Sequence, residues 1–231
     1  MGLHGLSQDK GNQMIIGVCG LIGSGKDTTA DYLVNIHEFR RDSFAATLKD
    51  ACSAVFGWDR DMLEGRTRSS REWREQPDEW WSARLGRTIT PRYILQHWGT
   101  EVCRNAFHDD IWIASLENKL RKTDDDVVIS DCRFPNEIRA IRKQGGYVIR
   151  VTRGPEPEWY DLAVAANSEQ HWGHNDPREE LRRRGIHASE TAWIGTNFDR
   201  VIANDGTLDQ LYAQITDLVR DLRLSKADLA A

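Results

Sequence analysis

The sequence predicts an α/β protein: a parallel sheet flanked by helices on both faces, with a mobile helical excursion acting as a lid. Three observations lead there. Short apolar runs at 14–19, 127–131, 147–151 and 201–203 have the length of buried strands. Helix-period segments separate them, as crossovers between parallel strands require. A glycine-rich turn, Gly20-Leu-Ile-Gly-Ser-Gly-Lys26, links the first strand to the first helix. Such a turn points backbone N–H groups and the positive end of the helix into one concavity.

The elements follow in order. Residues 1–13 are polar and contain glycine, without the apolar stretch of a signal peptide. They read as a disordered extension or expression remnant, with Met14 a candidate natural start. Residues 14–231 form a single domain on this reading. After the strand 14–19, Ala30, Leu33, Val34 and Ile36 mark the apolar face of a helix over 28–36. A short strand over 39–44 and a helix over 46–56 come next. The segment 59–90 is dense in arginine and tryptophan (Arg66, Arg68, Arg71, Arg74, Trp73, Trp80, Trp81), which suggests a surface excursion near a ligand or a mobile arm. Thr90-Pro91 then caps and starts a helix, with Ile94, Leu95, Trp98, Val102 and Phe107 as its apolar face. A helix over 111–120 precedes the strand ending at Asp131. A helix over 136–144 and a strand over 147–151 follow. From 152 to 185 the chain is polar and irregular, a second candidate lid. The strand 201–203, the turn Asn204-Asp-Gly206 and an amphipathic helix over 208–222 close the chain.

Composition narrows the function. A formal net charge of −5 argues against a surface that coats nucleic acid. No apolar run approaches the roughly 18 residues of a membrane span. Four cysteines without a C-x-x-C pair read as reduced cytosolic thiols.

The chemistry concentrates in the glycine turn. It fits the phosphate-binding pattern G-x-x-x-x-G-K-[ST] except that Asp27 holds the last position and the hydroxyl moves to Thr28. Lys26 supplies a point charge for outer phosphates. Asp27 either lies near a metal or the acceptor, the preferred reading, or orients an arginine. Asp131, at a strand's carboxyl end, is placed to reach Mg²⁺ or to cap the following turn. Arg133 with Glu137 reads either as part of a polar site cluster or as a surface pair. The run Arg178, Arg182, Arg183, Arg184 is the candidate lid cation source. Trp80, Trp81, Trp98, Trp159 and Trp172 are candidate stacking surfaces for a base.

The segments GKDTTAD, ILQHWGTEVCRNAF, VVISDCRFPNE, GIHASE and VIANDGTLDQL, in this order, resemble the deoxynucleoside monophosphate kinases of tailed bacteriophages. The resemblance implies a P-loop NTPase fold. It implies transfer of the γ-phosphoryl of ATP to a deoxynucleoside monophosphate (dNMP), with Mg²⁺, in the host cytoplasm. By it, Gly23, Ser24, Gly25, Lys26, Asp27 and Thr28 bind ATP; the motif itself places the Thr28 hydroxyl either on the metal, with Asp131, or as a cap of the helix. Gln96, Gly99, Thr100 and Asp131 face the acceptor, and Lys26, Asp27, Asp131 and Arg133 carry the chemistry. His187, Ser189 and Glu190 share the resemblance without a derivable role, and a plain helix start explains them equally. The stretch 155–184 departs from the shorter members of the family. Two other readings compete: a P-loop kinase of another small phosphorylated metabolite, and an NTP-hydrolysing switch or motor. A pure binding module is a third. The faces at 91–107 and 208–222 are candidate homodimer contacts.

Overall fold

The computed structural model describes residues 13–168 and 176–230. The chain divides into two units: one comprises the segments up to Asp42 and from Arg121 onward, the other Ser43–Leu120.

The first unit is built on five parallel strands: β1 (Ile15–Cys19), β2 (Arg40–Asp42), β3 (Val127–Ile129), β4 (Tyr147–Thr152) and β5 (Arg200–Ala203). Their order is β2-β3-β1-β4-β5. Central β1 is buried at every residue, which is why it reads as an unbroken apolar run. Ile16 and Val18 pack into a core with Ala30 and Leu33 of α1 (Lys26–His37) and with Leu211, Ile215 and Leu218 of α12 (Leu208–Ala230). Gly17 points to the opposite face, where a Cβ would lie 2.5 Å from Ile141 of α8 (Pro135–Lys143). The sheet therefore carries helices on both faces, as the sequence predicts.

Several boundaries move. β2 occupies only Arg40–Asp42, and β3 stops two residues before Asp131. Ile36, expected on the apolar face of α1, is exposed. Gln13, grouped with the polar extension, is buried, and its amide donates to the carbonyls of Thr123 (3.2 Å) and Asp125 (2.9 Å). The stretch expected to be irregular over 152–185 contains α9 (Tyr160–Asn167) and α10 (Pro177–Arg183), and α11 (Ala188–Thr191) follows it. Asp176 caps α10, accepting from the Arg178 N–H at 2.9 Å, with Pro177 at its first position. Asn167 ties α9 to the α11 turn, donating to the carbonyls of Thr191 (2.7 Å) and Ile194 (2.9 Å).

The second unit is helical: α2 (Ala46–Phe56), α3 (Arg60–Glu64), α4 (Arg68–Glu75), α5 (Glu79–Leu85), α6 (Pro91–Gln96), a π-helix (His97–Asn105) and α7 (Ile111–Leu120). Here the expected surface excursion at 59–90 is corrected. Asp59, Thr67 and Asp78 cap three short helices, and their aromatic residues form a core. Phe56 stacks on Trp58 at 4.4 Å and meets Trp81 and Trp98 at 4.9 and 5.1 Å. The buried Trp58 indole donates to Asp78 at 2.8 Å, and that of Trp81 to the Phe56 carbonyl at 3.0 Å. Trp80 is exposed. The helix expected through Phe107 is also corrected. Past Gln96 it widens, with Ala106 N–H bonding the Glu101 carbonyl (3.1 Å) and His108 N–H that of Cys103 (2.9 Å), the spacing of a π-helix. The change of pitch rotates the face, so Val102 and Phe107 are exposed while Ile94 is buried.

Lys49 and Arg60 both pair with Glu64, at 2.7 and 2.5 Å. Burial disfavours the Glu64 carboxylate, but the hydrogen bonds and charges of Lys49 and Arg60 outweigh it and hold its pKa down at about 2. An unfolded glutamate titrates near about 4.3. The stabilisation is therefore complete above that value and lost as pH falls toward 2. Denaturant unfolding between pH 5 and 2 is expected to show a shallower acid loss for Glu64→Gln than for wild type; parallel profiles would contradict this.

Candidate active site

The glycine turn sits at the carboxyl end of β1, where ligands of parallel sheets bind. Gly25 has φ +105° and leads directly into α1, a conformation costly for any residue with a Cβ. A Cβ there would also lie 2.4 Å from the Asn204 amide, which donates to the Ser24 carbonyl at 2.9 Å. Asp205 accepts from Gly154 N–H at 2.6 Å. The turn after β5 thus braces both the glycine loop and the loop after β4. Gly23 is exposed, and the buried Ser24 hydroxyl has no hydrogen-bond partner among the described residues. No side chain caps α1, so its first-turn N–H groups have no intrahelical acceptor. Orphan donors, a buried hydroxyl and a positive helix end fit a polyphosphate.

Lys26 folds over this cradle, its ammonium donating to the carbonyls of Gly20 (2.9 Å) and Leu21 (2.8 Å). Burial, and then the nearby Arg133 guanidinium, push its pKa down, against an opposing pull from Asp27. An anionic ligand at the loop would relieve both penalties on the Lys26 charge. Asp27 pairs with Arg41; of its two readings, the structure displays the arginine one. Thr28 is half-buried in the first turn of α1.

Asp131, half-buried, and Arg133, exposed, lie in the loop between β3 and α8. Glu137 is not part of a surface pair with Arg133. It is 3 % exposed, and its carboxylate accepts from the backbone N–H groups of Arg133 (2.9 Å) and Phe134 (3.1 Å). It fixes the loop that carries the two candidates.

Beside the glycine loop opens a cavity of about 300 Å³, lined by Ile22, Ser24, Arg150, Arg153, Trp159 and Glu190 among others. Of the proposed stacking tryptophans, Trp159 borders it, Trp81 and Trp98 serve the helical core, and Trp172 lies outside the described residues. The His187 ring caps α11, accepting from Ser189 N–H at 3.2 Å, which leaves Glu190 of that motif on the cavity. Arg150 pairs with Glu156 and lies over the rings of Tyr160 (4.9 Å) and Trp193 (5.2 Å).

The arginines proposed for the lid are partly committed elsewhere. Arg178 donates to the Ala166 carbonyl at 3.0 Å, and Arg183 pairs with Glu180 at 3.2 Å; Arg182 is exposed. Gln96 and Thr100 are exposed on the helical unit. Gly99 is buried: a Cβ would lie 2.9 Å from Leu48, and its carbonyl accepts from the Trp112 indole at 2.8 Å. The close approach it permits is packing within that unit. Sequence reasoning missed Arg41, Arg150 and Arg153. The one available signal was a charge inside the apolar strand β4.

Residues 79–165 match the family of deoxynucleotide monophosphate kinases. A protein of Acanthamoeba polyphaga mimivirus, provisionally named a deoxynucleotide monophosphate kinase, is 30% identical over 220 residues, covering 89% of this chain and 96% of its own. The chain belongs to the deoxynucleotide monophosphate kinase family. The deoxynucleoside-5'-monophosphate kinase of Escherichia phage T5 is 27% identical over 180 residues, 56% of this chain and 72% of its own. Among solved structures, the shikimate kinase of Aquifex aeolicus aligns over 91% of this chain and 99% of its own, at 12% identity and a TM-score of 0.43, too loose a likeness to argue from. The family match omits the glycine loop and contains Gln96, Gly99, Thr100, Asp131 and Arg133. This kinase therefore carries its family signature outside the P-loop, a loop common to many activities. Among the described residues, no helix is long and apolar enough to cross a membrane.

Proposed function

We propose that this kinase transfers the γ-phosphoryl of ATP to a dNMP, giving a deoxynucleoside diphosphate and ADP. The observation that carries the reading is the glycine cradle itself: uncapped N–H groups at the start of α1, the unpartnered buried Ser24 hydroxyl and the Lys26 ammonium folded over the loop. Lys26 and the loop N–H groups bind the β- and γ-phosphates, and Arg133 neutralises charge on the group in transit. The acceptor is a phosphate oxygen already ionised near neutral pH, so alignment and charge stabilisation suffice. Mg²⁺, were it bound with ATP, would supply positive charge to offset that of the phosphates. Thr28 and Asp131 are the residues we assign to hold it; a metal held largely by phosphates and water needs only one or two protein oxygens. Gln96 and Thr100 are assigned to the acceptor. Gln96 offers both a donor and an acceptor to a base edge.

The competing switch or motor reading gains nothing from Asn204, whose amide is spent bracing Ser24. Measuring ATP consumption with and without each dNMP separates the readings. Acceptor-dependent ADP formation is expected; acceptor-independent hydrolysis would favour a switch or motor, and none a binder. Deoxy substrates are expected to outrun their ribo counterparts by roughly tenfold, within the ~10² that exclusion of one hydroxyl achieves. Equal rates with GMP and dGMP would contradict the deoxynucleotide assignment.

A further inference from the structure

We infer that Arg41 is a positioning residue for phosphoryl transfer, acting through Asp27 and Ser130; this rests on the function proposed above. Arg41 lies on β2 with its side chain 15% exposed. One guanidinium nitrogen pairs with Asp27, and another pairs with Asp31 at 2.6 Å. Nε and Nη2 also donate to the Ser130 hydroxyl, at 3.2 and 3.0 Å. Asp27 and Asp31 are one turn apart on the same face of α1, and Ser130 directly precedes Asp131. One planar fork therefore ties the helix that presents Lys26 to the loop that presents Asp131. A lysine, a single point of charge, could not hold all three partners.

Arg41 also answers the oddity of Asp27. A carboxylate beside the donor phosphates repels them, and it pulls on the Lys26 ammonium next to it. With its charge shared by Arg41, Asp27 competes less strongly with the phosphates for Lys26. The side chains of Asp27 and Asp31 are 79% and 57% exposed, so these pairs contribute little to stability. Their consequence lies in geometry.

The test uses Arg41→Met, Arg41→Lys, Asp27→Asn and the double variant Asp27→Asn/Arg41→Met. For each, kcat, both KM values, the Kd of MgATP by calorimetry and the melting temperature are measured. Arg41→Met is expected to lower kcat by about 10–100-fold, in the range lost when reacting groups are slightly misplaced. It should weaken MgATP binding severalfold and leave the dNMP KM and the melting temperature nearly unchanged. Arg41→Lys should recover only part of the loss. The double variant should be no slower than Arg41→Met alone, because the two residues act as one unit. Wild-type kcat and MgATP affinity in Arg41→Met would overturn the inference, as would multiplicative losses in the double variant or a kcat loss that follows falling stability. A wild-type protein without dNMP-dependent ADP formation would instead overturn the proposed function, and the calorimetry would still decide whether Arg41 shapes the donor site.

Discussion

Lys26→Ala is expected to lower turnover by about 10²–10³-fold, the usual loss when a preorganised charge-stabilising donor is removed, while the protein stays folded. The ammonium in this structure is desolvated and feels the Arg133 charge, and both effects lower its pKa. The folded state thus carries a cost at this position that the unfolded chain does not. Its hydrogen bonds are to the Gly20 and Leu21 carbonyls at the mouth of the loop, where water can replace it. Removing the side chain relieves that cost, and the melting temperature should hold or rise slightly. What disappears is the charge that meets the β- and γ-phosphates. Steady-state kinetics with ATP and a dNMP, run beside a thermal melt, check both halves. Near-normal turnover would end the assignment of Lys26, and a large fall in stability would make any lost activity uninformative about chemistry.

The parts of this molecule set by local physics were readable in its sequence. β1 and β3 are buried at every residue, so they appear as plain apolar runs of strand length, and β4 is apolar apart from Arg150 and Thr152. The glycine loop was readable because positive φ and an uncapped helix start demand particular residues in a fixed order. Thr90-Pro91 announced α6 in the same local way. Residues 59–90 failed because α3, α4 and α5 are five, eight and seven residues long, too short to display an apolar period. Trp73 and Trp81 meet their ring partners, Trp58 and Phe56, only in the folded core. The π-helix failed for a related reason, since one extra residue in a turn shifts the buried face without changing composition. In the candidate site, Lys26 and Asp131 stand out as candidates because each follows the carboxyl end of an apolar strand. The Arg41–Asp27 pair spans fourteen residues, and Glu137 points inward to backbone N–H groups. Spacing along the chain conveys neither contact.

Gly20→Ala is expected to destabilise the protein by about 2–6 kcal/mol, adding backbone strain to overpacking. Gly20 has φ +147°, a region closed to side-chain-bearing residues. A Cβ would stand 2.4 Å from the Val151 carbonyl oxygen and 2.7 Å from the Ser24 hydroxyl. Neither neighbour yields cheaply. Val151 is backbone of β4, held between β1 and β5 by the sheet, and Ser24 lies within the phosphate cradle. Gly23→Ala is the control, because a Cβ there meets nothing within 4 Å. Its cost should be only the roughly 1–2 kcal/mol of a left-handed residue. Denaturant unfolding of the two variants should therefore separate by about 1–3 kcal/mol, the overpacking contribution, with Gly20→Ala the less stable; identical stabilities would refute the steric account. The asymmetry has a structural origin. The chain must leave β1 across the end of β4 before it can turn back into α1, so one glycine serves both the sheet edge and the cradle. Relief of its strain can come only by displacing the loop that holds Ser24 and Lys26, and activity should fall with stability in Gly20→Ala even at temperatures where the variant remains folded.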